Sequence, residues 1–217
     1  MRLQIESYAA QTGRWPRSGR HILAGYDDES VVVYQAYRPA IGHFAARQGR
    51  FGGGFSLSRM SWIKPNFLWM MYRCGWATKE DQEVVLAVTL RRAAFDAILA
   101  EAVHSHYVPE AYASAEDWKR AVAASSVRLQ WDPDHDPSGA PVERRAIQLG
   151  LRGEFLRRYA GEWIVGIEDI TDFVREQRER AAAPGYAGLV TPSEAVYPVT
   201  DGAVAARLGT SQIEEIP

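Results

Sequence analysis

The chain has 217 residues, of which 47% are hydrophobic and 24% are charged, so it is long enough to bury the core of one ordinary domain. Its net charge of −2 and sequence pI near 6.2 exclude the global positive field that drives non-specific nucleic-acid binding. A single cysteine excludes an internal disulfide and a zinc site built mainly from thiolates.

The sequence predicts a soluble, cytoplasmic protein without membrane contact. No basic start leads into an apolar stretch, and no run reaches the roughly eighteen apolar residues that suggest a membrane span. Residues 1–19 are predicted to form a loosely packed N-terminal arm, and residues 20–180 a single globular domain. Residues 181–217 are rich in Ala, Gly, Pro, Thr and Ser, which predicts an extended or disordered tail.

The first strong element covers residues 30–37, where β-branched and aromatic residues predict an interior strand. Pro39 can then open a helix through Arg47, and Gly49 can close it. The glycine-rich loop at residues 50–55 lacks the Gly-Lys-Ser/Thr ending of a phosphate-binding loop, so its nucleotide signal is weak. A surface turn and a ligand-cradling loop both remain open interpretations.

Residues 61–76 contain three of the seven tryptophans and the only cysteine. Pro65 fits the start of a helix, and a glycine follows Cys74 at the position that favours a helix end. We therefore predict a helix from Pro65 to about Cys74, apolar nearly all round and hence central. Lys64 and Arg73 stand out, because a cation beside a buried helix needs a partner or a ligand.

Strands and helices continue to alternate imperfectly through residue 180. The predicted fold is therefore a single α+β domain with mixed or antiparallel sheets and flanking helices. The further elements are strands at 84–90, 126–131, 144–149 and 163–167, and helices at 91–103, 115–124, 153–160 and 171–180.

Metal chemistry is not expected. The acidic loop from Asp132 to Asp136 lacks the spacing and the final glutamate of a calcium loop. His104 and His106 lie two residues apart without a third ligand nearby. Cys74 has no activating histidine beside it in the sequence and is predicted to be buried and inert.

Several polar residues interrupt otherwise apolar elements and are candidates for a site. Inward-facing arginine and glutamine are costly unless paired, and arginine suits phosphate or carboxylate. With tryptophan and tyrosine nearby, they predict an aromatic pocket for an anionic ligand such as a nucleotide. The structural alternative, a buried ion-pair network within an ordinary aromatic core, is equally open. The candidates are Gln35, Lys64, Arg73, Arg128, Gln130, Arg145 and Gln148.

A set of motif blocks spread over about residues 20–171 resembles the domain of unknown function 4291 family. That family name implies no established activity. The blocks are Tyr26-Asp27-Asp28-Glu29, VVYQAY at 32–37, MSWIKP at 60–65, FLWMMYR at 67–73, GW at 75–76, RLQWDP at 128–133 and IQLGL at 147–151.

The order of the first elements also resembles the opening of ADP-ribosyltransferase-type domains, which split NAD at the nicotinamide–ribose bond. This resemblance implies a split sheet and NAD as a substrate. The resemblance implies that Gln35 or Tyr37 holds the nicotinamide ribose and that Trp62 or Tyr72 lines the nicotinamide pocket. It implies that Gln148 steadies the developing charge and that Arg73, Arg128 or Arg145 holds the pyrophosphate.

The sequence departs from the His, Tyr, Glu signature of that superfamily at its first and third places. Glutamine cannot act as a general base, so Asp132 or Glu154 would have to do that work if the protein is an enzyme. The leading hypothesis is an NAD-using transferase or NAD glycohydrolase whose acceptor is a nucleic acid, a small molecule or a protein. The alternative is a non-catalytic module that binds a nucleotide or, through a local basic patch, single-stranded nucleic acid.

Overall fold

The computed structural model describes residues 3–212 of the chain. None of the helices within that range is long and apolar enough to cross a bilayer. The helices are α1 (Tyr8–Thr12), α2 (Pro39–Gln48), α3 (Phe67–Cys74), α4 (Arg92–Glu101), α5 (Ala115–Ala124), α6 (Gly153–Tyr159), α7 (Thr171–Ala181), a 3₁₀ turn at Pro184–Tyr186, and α8 (Gly202–Leu208).

The strands form two main sheets and two short ribbons. They are β1 (Ile5–Ser7), β2 (Gly19–Arg20), β3 (Leu23–Ala24), β4 (Ser30–Tyr37), β5 (Ser61–Ile63), β6 (Val84–Arg91), β7 (Ala102–His104), β8 (Val127–His135), β9 (Pro141–Leu151), β10 (Ile164–Asp169), β11 (Val190–Pro192) and β12 (Ala195–Val196). The first sheet has the order β10-β6-β4, and the second has the order β2-β9-β8-β7 with β5 also paired to β9. Antiparallel and parallel pairs both occur, so the predicted α+β class with mixed sheets is confirmed.

Strand β4 is interior on both faces. Val31 and Val33 join the core cluster that contains residues of α4, β8 and β9. Val32 and Tyr34 join a second cluster with α3. Because alternate side chains point to opposite faces of a strand, burial of both faces explains why this stretch is apolar throughout. The predicted strand at 30–37 has the bounds that the structure shows.

Helix α3 begins two residues later than predicted. Asn66 is its N-cap, and the side chain of Asn66 accepts a hydrogen bond of 2.6 Å from the Trp69 amide. An asparagine that satisfies a free amide is a stronger start signal than a proline, so Pro65 lies just before the cap. The predicted end is confirmed, since Gly75 adopts a left-handed conformation with φ of 59°.

Strand β5 joins the two sheets. Trp62 lies opposite Gly150 of β9 in an antiparallel pair. One residue after the strand, the Lys64 carbonyl accepts from the Tyr34 amide at 2.7 Å, and the Lys64 amide donates back at 3.3 Å. The segment is therefore held by β9 and by β4, and the candidate site lies beside it.

Both chain ends differ from the predicted arm at 1–19 and tail at 181–217. Strand β1 pairs with β11, and β12 pairs with β3. Val204 and Leu208 of α8 are buried in the main core cluster. These short segments show little periodicity alone. The two ends pair with each other through β1 and β11, whereas β12 and α8 pack against the rest of the domain. Residues 1–2 and 213–217, the outer parts of both predictions, lie outside the described range.

Candidate functional site

A cleft of about 640 Å³ opens at the junction of the two sheets. It lies beside the end of β4, the loop before β5, β5 itself, α3, and the middle of β8 and β9. A pocket of this size is typical of small-molecule sites. Among the residues predicted to act, the cleft is lined by Gln35, Tyr37, Trp62, Lys64, Arg73 and Gln148.

Positive charge dominates the lining of the cleft. Lys64 and Arg73 are joined there by Arg38 and Arg59, whereas Asp81 is the acidic residue among the lining side chains. Within residues 3–212, none of these four cations takes part in an ion pair. A concave surface with uncompensated charge of one sign concentrates ions of the opposite sign.

Lys64 is the most deeply placed of these cations. It is only 5% exposed, although its side chain lines the cleft. Burial, reinforced by the nearby charge of Arg73, lowers the pKa of Lys64 to about 8, and the negative charge of Asp132 opposes that shift. A desolvated ammonium loses part of its hydration, so this amine carries less charge at neutral pH than an ordinary lysine does.

Gln35 holds the wall of the cleft together. Its Nε2 donates to Ser61 Oγ at 2.9 Å and to the Trp62 carbonyl at 3.1 Å. Its Oε1 accepts from the Tyr159 hydroxyl at 2.5 Å. Both amide hydrogens are therefore used within the protein, which leaves none to hold a ribose. Gln35 instead fixes β5 against β4.

The hydroxyl groups of Tyr37 and Ser61 form a pair on the same wall. Their oxygens are 2.9 Å apart, and either can be the donor. Burial raises the pKa of Tyr37, while the neighbouring polar groups of Ser61 and Gln35 offset only part of that effect, so its hydroxyl is protonated at neutral pH. One hydrogen bridges the pair, and the other hydroxyl hydrogen is available to a ligand.

Two glutamine side chains form the polar floor of the cleft. Gln130 and Gln148 lie directly opposite each other on β8 and β9. Their Nε2 groups donate to the two carboxylate oxygens of Asp132 at 2.9 and 2.7 Å. Because a carboxylate can only accept, this contact fixes both amide orientations. The glutamine carbonyl oxygens meet no donor within the described residues and can accept from a ligand.

Gly150 lets an aromatic side chain lie across the sheet. A Cβ atom at this position would lie 3.0 Å from the Trp62 indole and 2.6 Å from Met60 Sδ. Both neighbours line the cleft. The Trp62 indole therefore occupies the space that the side chain of any larger residue at position 150 would fill. The indole also offers a flat apolar face for stacking.

Several predicted residues lie away from the cleft. Arg128 is buried, and its guanidinium donates to the carbonyls of Ser125, Val127 and Val122 near the end of α5, which is a structural role. Arg145 is exposed on β9 and does not line the cleft. Glu154 is exposed on α6 and pairs with an arginine one turn later at 2.8 Å.

Tyr72 and Asp132 also stand outside the lining. Tyr72 is 49% exposed and stacks on the His135 ring with 3.5 Å between centroids. Asp132 lies behind the two glutamines, where its oxygens already accept hydrogen bonds. The structure therefore gives Asp132 the role of orienting amides, and its engaged carboxylate is not free to act as a general base.

The cleft contains residues that sequence reasoning did not select. Arg38 precedes the proline that opens α2, and Arg59 lies in the irregular loop before β5. Ser61, the first residue of β5, carries one of the paired hydroxyls. Neither arginine interrupts an apolar element, so the criterion that selected Arg73 could not find them. The nearby glycine-rich loop, with Gly54 in the lining, was the one available signal.

No group of three or more His, Cys, Asp or Glu side chains is placed to hold a metal ion in the described range.

Cys74 is fully buried, and burial raises the pKa of its thiol. A protonated, inaccessible thiol is a poor nucleophile.

Comparison with known proteins identifies the family of the chain. No curated protein shows significant similarity to the chain. The family model described as "Domain of unknown function (DUF4291)" matches residues 21–197, a span that includes every residue of the cleft discussed above. The chain therefore belongs to the DUF4291 family.

Proposed function

We propose that the cleft binds a nucleotide through its phosphates, with NAD as the first candidate. The observation that carries this proposal is the convergence of four cations in one concave site, Arg38, Arg59, Lys64 and Arg73, none of which has an ion-pair partner among residues 3–212. Arginine binds phosphate oxygens through parallel hydrogen bonds, and lysine binds them as a point charge. A nucleotide phosphate would supply the missing negative charge.

The remaining lining suits the uncharged part of a nucleotide. The carbonyl oxygens of Gln130 and Gln148 can accept hydrogen bonds from ribose hydroxyls or from an amide or amine of a base. Trp62 presents a ring on which a base or a nicotinamide can stack. The cleft thus combines cations for phosphates with acceptors and an aromatic face for a nucleoside.

The proposed reaction is cleavage of NAD at the nicotinamide–ribose bond, with transfer to an acceptor or to water. It is supported by the position of Tyr37, Trp62 and Gln148, because these residues, to which the resemblance assigns roles, line the same cleft. A non-catalytic nucleotide or single-stranded nucleic-acid binding module is the second candidate. The engagement of the Asp132 carboxylate with both glutamine amides favours this second candidate.

The binding test compares cleft arginines with an arginine outside the cleft. Intrinsic tryptophan fluorescence or calorimetry would measure the Kd for NAD, ADP-ribose and ADP. Charge-assisted hydrogen bonds contribute about 1.5–3 kcal/mol, so Arg73→Ala and Arg59→Ala should each weaken binding by about ten- to hundredfold. Arg145→Ala is the matched control and should leave the Kd unchanged. Equal losses in all three variants, or no binding by the wild type, would contradict the proposal.

Release of nicotinamide separates the two candidate functions. If the protein cleaves NAD, the wild type should release nicotinamide and Gln148→Ala should not. If it is a binding module, NAD should bind in a salt-sensitive manner without release. Chromatography of the incubation mixture measures both NAD and nicotinamide.

A further inference from the structure

The environment of Lys64 differs from that of every other lysine in the chain. The sequence contains three lysines. Lys79 and Lys119 are exposed, whereas Lys64 is buried and yet lines the cleft. Its backbone amide and carbonyl both form hydrogen bonds with the backbone of Tyr34, so the position of its Cα atom is fixed.

No side-chain partner neutralises Lys64 within the described residues. Its amine makes no ion pair there, and no hydrogen bond from it to another side chain is found. The acid whose charge acts on it, Asp132, already binds two glutamine amides. A lysine retained for structural charge would be paired, whereas a lysine that is desolvated or lies next to another cation is a typical amine nucleophile.

We propose that Lys64 forms an imine with the aldehyde carbon of a phosphorylated sugar bound in its open-chain form. This inference rests on the proposed function, because the cleft cations would hold the phosphate. The carbonyl oxygens of Gln130 and Gln148 would accept from the sugar hydroxyls. ADP-ribose, the product of NAD cleavage, has both a phosphate group and a sugar that opens to an aldehyde.

The covalent step balances without a redox partner. Neutral Nζ adds to the carbonyl carbon and gives a carbinolamine. The carbonyl oxygen then leaves as water with the two amine hydrogens, and the C=N bond forms. Addition of water reverses the step and restores the amine.

The groups that act on Lys64 determine its pH dependence. Burial is the largest effect, Arg73 of α3 also favours the neutral amine, and the carboxylate of Asp132 on β8 opposes them. The thiol of Cys74 on α3 would oppose them only as a thiolate, and burial raises its pKa and keeps it protonated. With a pKa of about 8, the neutral fraction rises through that pH. Imine formation should therefore accelerate between about pH 7 and 9 and then level off.

Reductive trapping tests the proposal. The full-length protein would be incubated with ADP-ribose or ribose 5-phosphate and cyanoborohydride, and the labelled peptides would be identified by mass spectrometry. Lys64 should be labelled at least about tenfold faster than Lys79 or Lys119 near pH 7.5, because an amine with a pKa of about 8 is about one-quarter neutral there and the cleft would hold the sugar phosphate beside it. Excess ADP should slow the labelling, and unphosphorylated ribose should label Lys64 more slowly than ribose 5-phosphate does. Equal labelling of the three lysines would overturn the inference.

Lys64→Arg keeps a cation but removes the nucleophile, so it separates binding from reaction. It should still bind ADP-ribose within about tenfold of the wild type while losing the adduct at position 64. If the wild type binds ADP-ribose and no adduct forms, this inference is wrong and the nucleotide proposal stands. If Lys64 is labelled although NAD and ADP do not bind, the proposed function is wrong instead.

Discussion

Asp132 binds two glutamine amides at once, and this contact orients the polar floor of the cleft. At the scale of single residues, the site depends on which hydrogen-bonding groups remain unused. Gln35 has donated both amide hydrogens to neighbours, whereas Gln130 and Gln148 keep their carbonyl oxygens. The first glutamine therefore supports the wall, and the other two are free to contact a ligand.

Replacing Gln148 tests this distinction. Gln148→Leu keeps most of the side-chain volume and the net charge but removes one acceptor. A neutral hydrogen bond contributes about 0.5–1.5 kcal/mol, so the affinity for ADP-ribose should fall about three- to tenfold. Pyrophosphate, which has no hydroxyl to donate from a sugar, should bind the variant as tightly as the wild type by calorimetry. An equal loss for both ligands would contradict the assigned contact.

At the scale of secondary-structure elements, the pairing of strand β5 determines where the site lies. It pairs with β9 along its length, and the residue after it bridges to β4. The pairing brings Trp62 over Gly150, where the missing side chain makes room for the indole. The shape of the cleft therefore depends on a glycine that lies outside its lining.

Gly150→Ala should disturb the ligand site more than the fold. Its Cβ would force Met60 and the Trp62 ring to shift, and backbone strain is absent because Gly150 is not among the positive-φ glycines. We expect the affinity for NAD to fall about tenfold, which corresponds to roughly 1.4 kcal/mol of binding free energy. Gly166→Ala, on strand β10 with open space around it, is the matched control. Unchanged affinity in Gly150→Ala would show that Trp62 makes no ligand contact.

At the scale of the whole molecule, the two end segments of the chain complete the hydrogen bonding at the start of the central helix α3. Glu194, just before β12, is buried and accepts from the Phe67 amide at 2.7 Å and from Asn66 Nδ2 at 3.3 Å. It therefore satisfies free donors at the start of α3. Its own amide donates to Gln11 Oε1 at 2.8 Å, which ties the N-terminal segment to the same point.

Glu194 variants test this link through stability. Glu194→Ala leaves the buried Phe67 amide without an acceptor, so the free energy of unfolding should fall by about 1–3 kcal/mol. Glu194→Gln retains a carbonyl oxygen for that amide and should unfold at the wild-type denaturant concentration or at a higher one at pH 7. If Glu194→Ala is as stable as the wild type, the cap is not needed.

The pH dependence of stability gives a second test of Glu194. Burial raises the pKa of its carboxyl well above the ordinary value, while the Phe67 amide opposes that shift. The folded protein then binds a proton that the unfolded chain has already lost, so the free energy of unfolding falls as pH rises above about 4.5. Glu194→Gln should lack this pH-dependent loss. Between about pH 4 and 7, which lies above the carboxyl pKa of the unfolded chain, the variant should therefore become more stable relative to the wild type. The exposed Glu179→Gln variant should keep the wild-type dependence.

Features that depend on local spacing could be predicted from the residues alone. The α+β class, the bounds of β4 and the end of α3 follow from alternation, propensity and a helix-ending glycine. Lys64 and Arg73 could be singled out because each cation interrupts an apolar segment. Those signals act within a few residues of one another.

Which polar residues meet in the cleft depends on contacts between segments that are distant in the chain. The pairing of β5 with both β4 and β9 brings Lys64 near Gln130 and Gln148, and the same register leaves Arg145 on the outside. The ordered chain ends likewise depend on pairing between β1 and β11. These contacts join segments far apart in the chain, and their register follows from burial and strand pairing summed over the whole domain, which local sequence patterns do not encode.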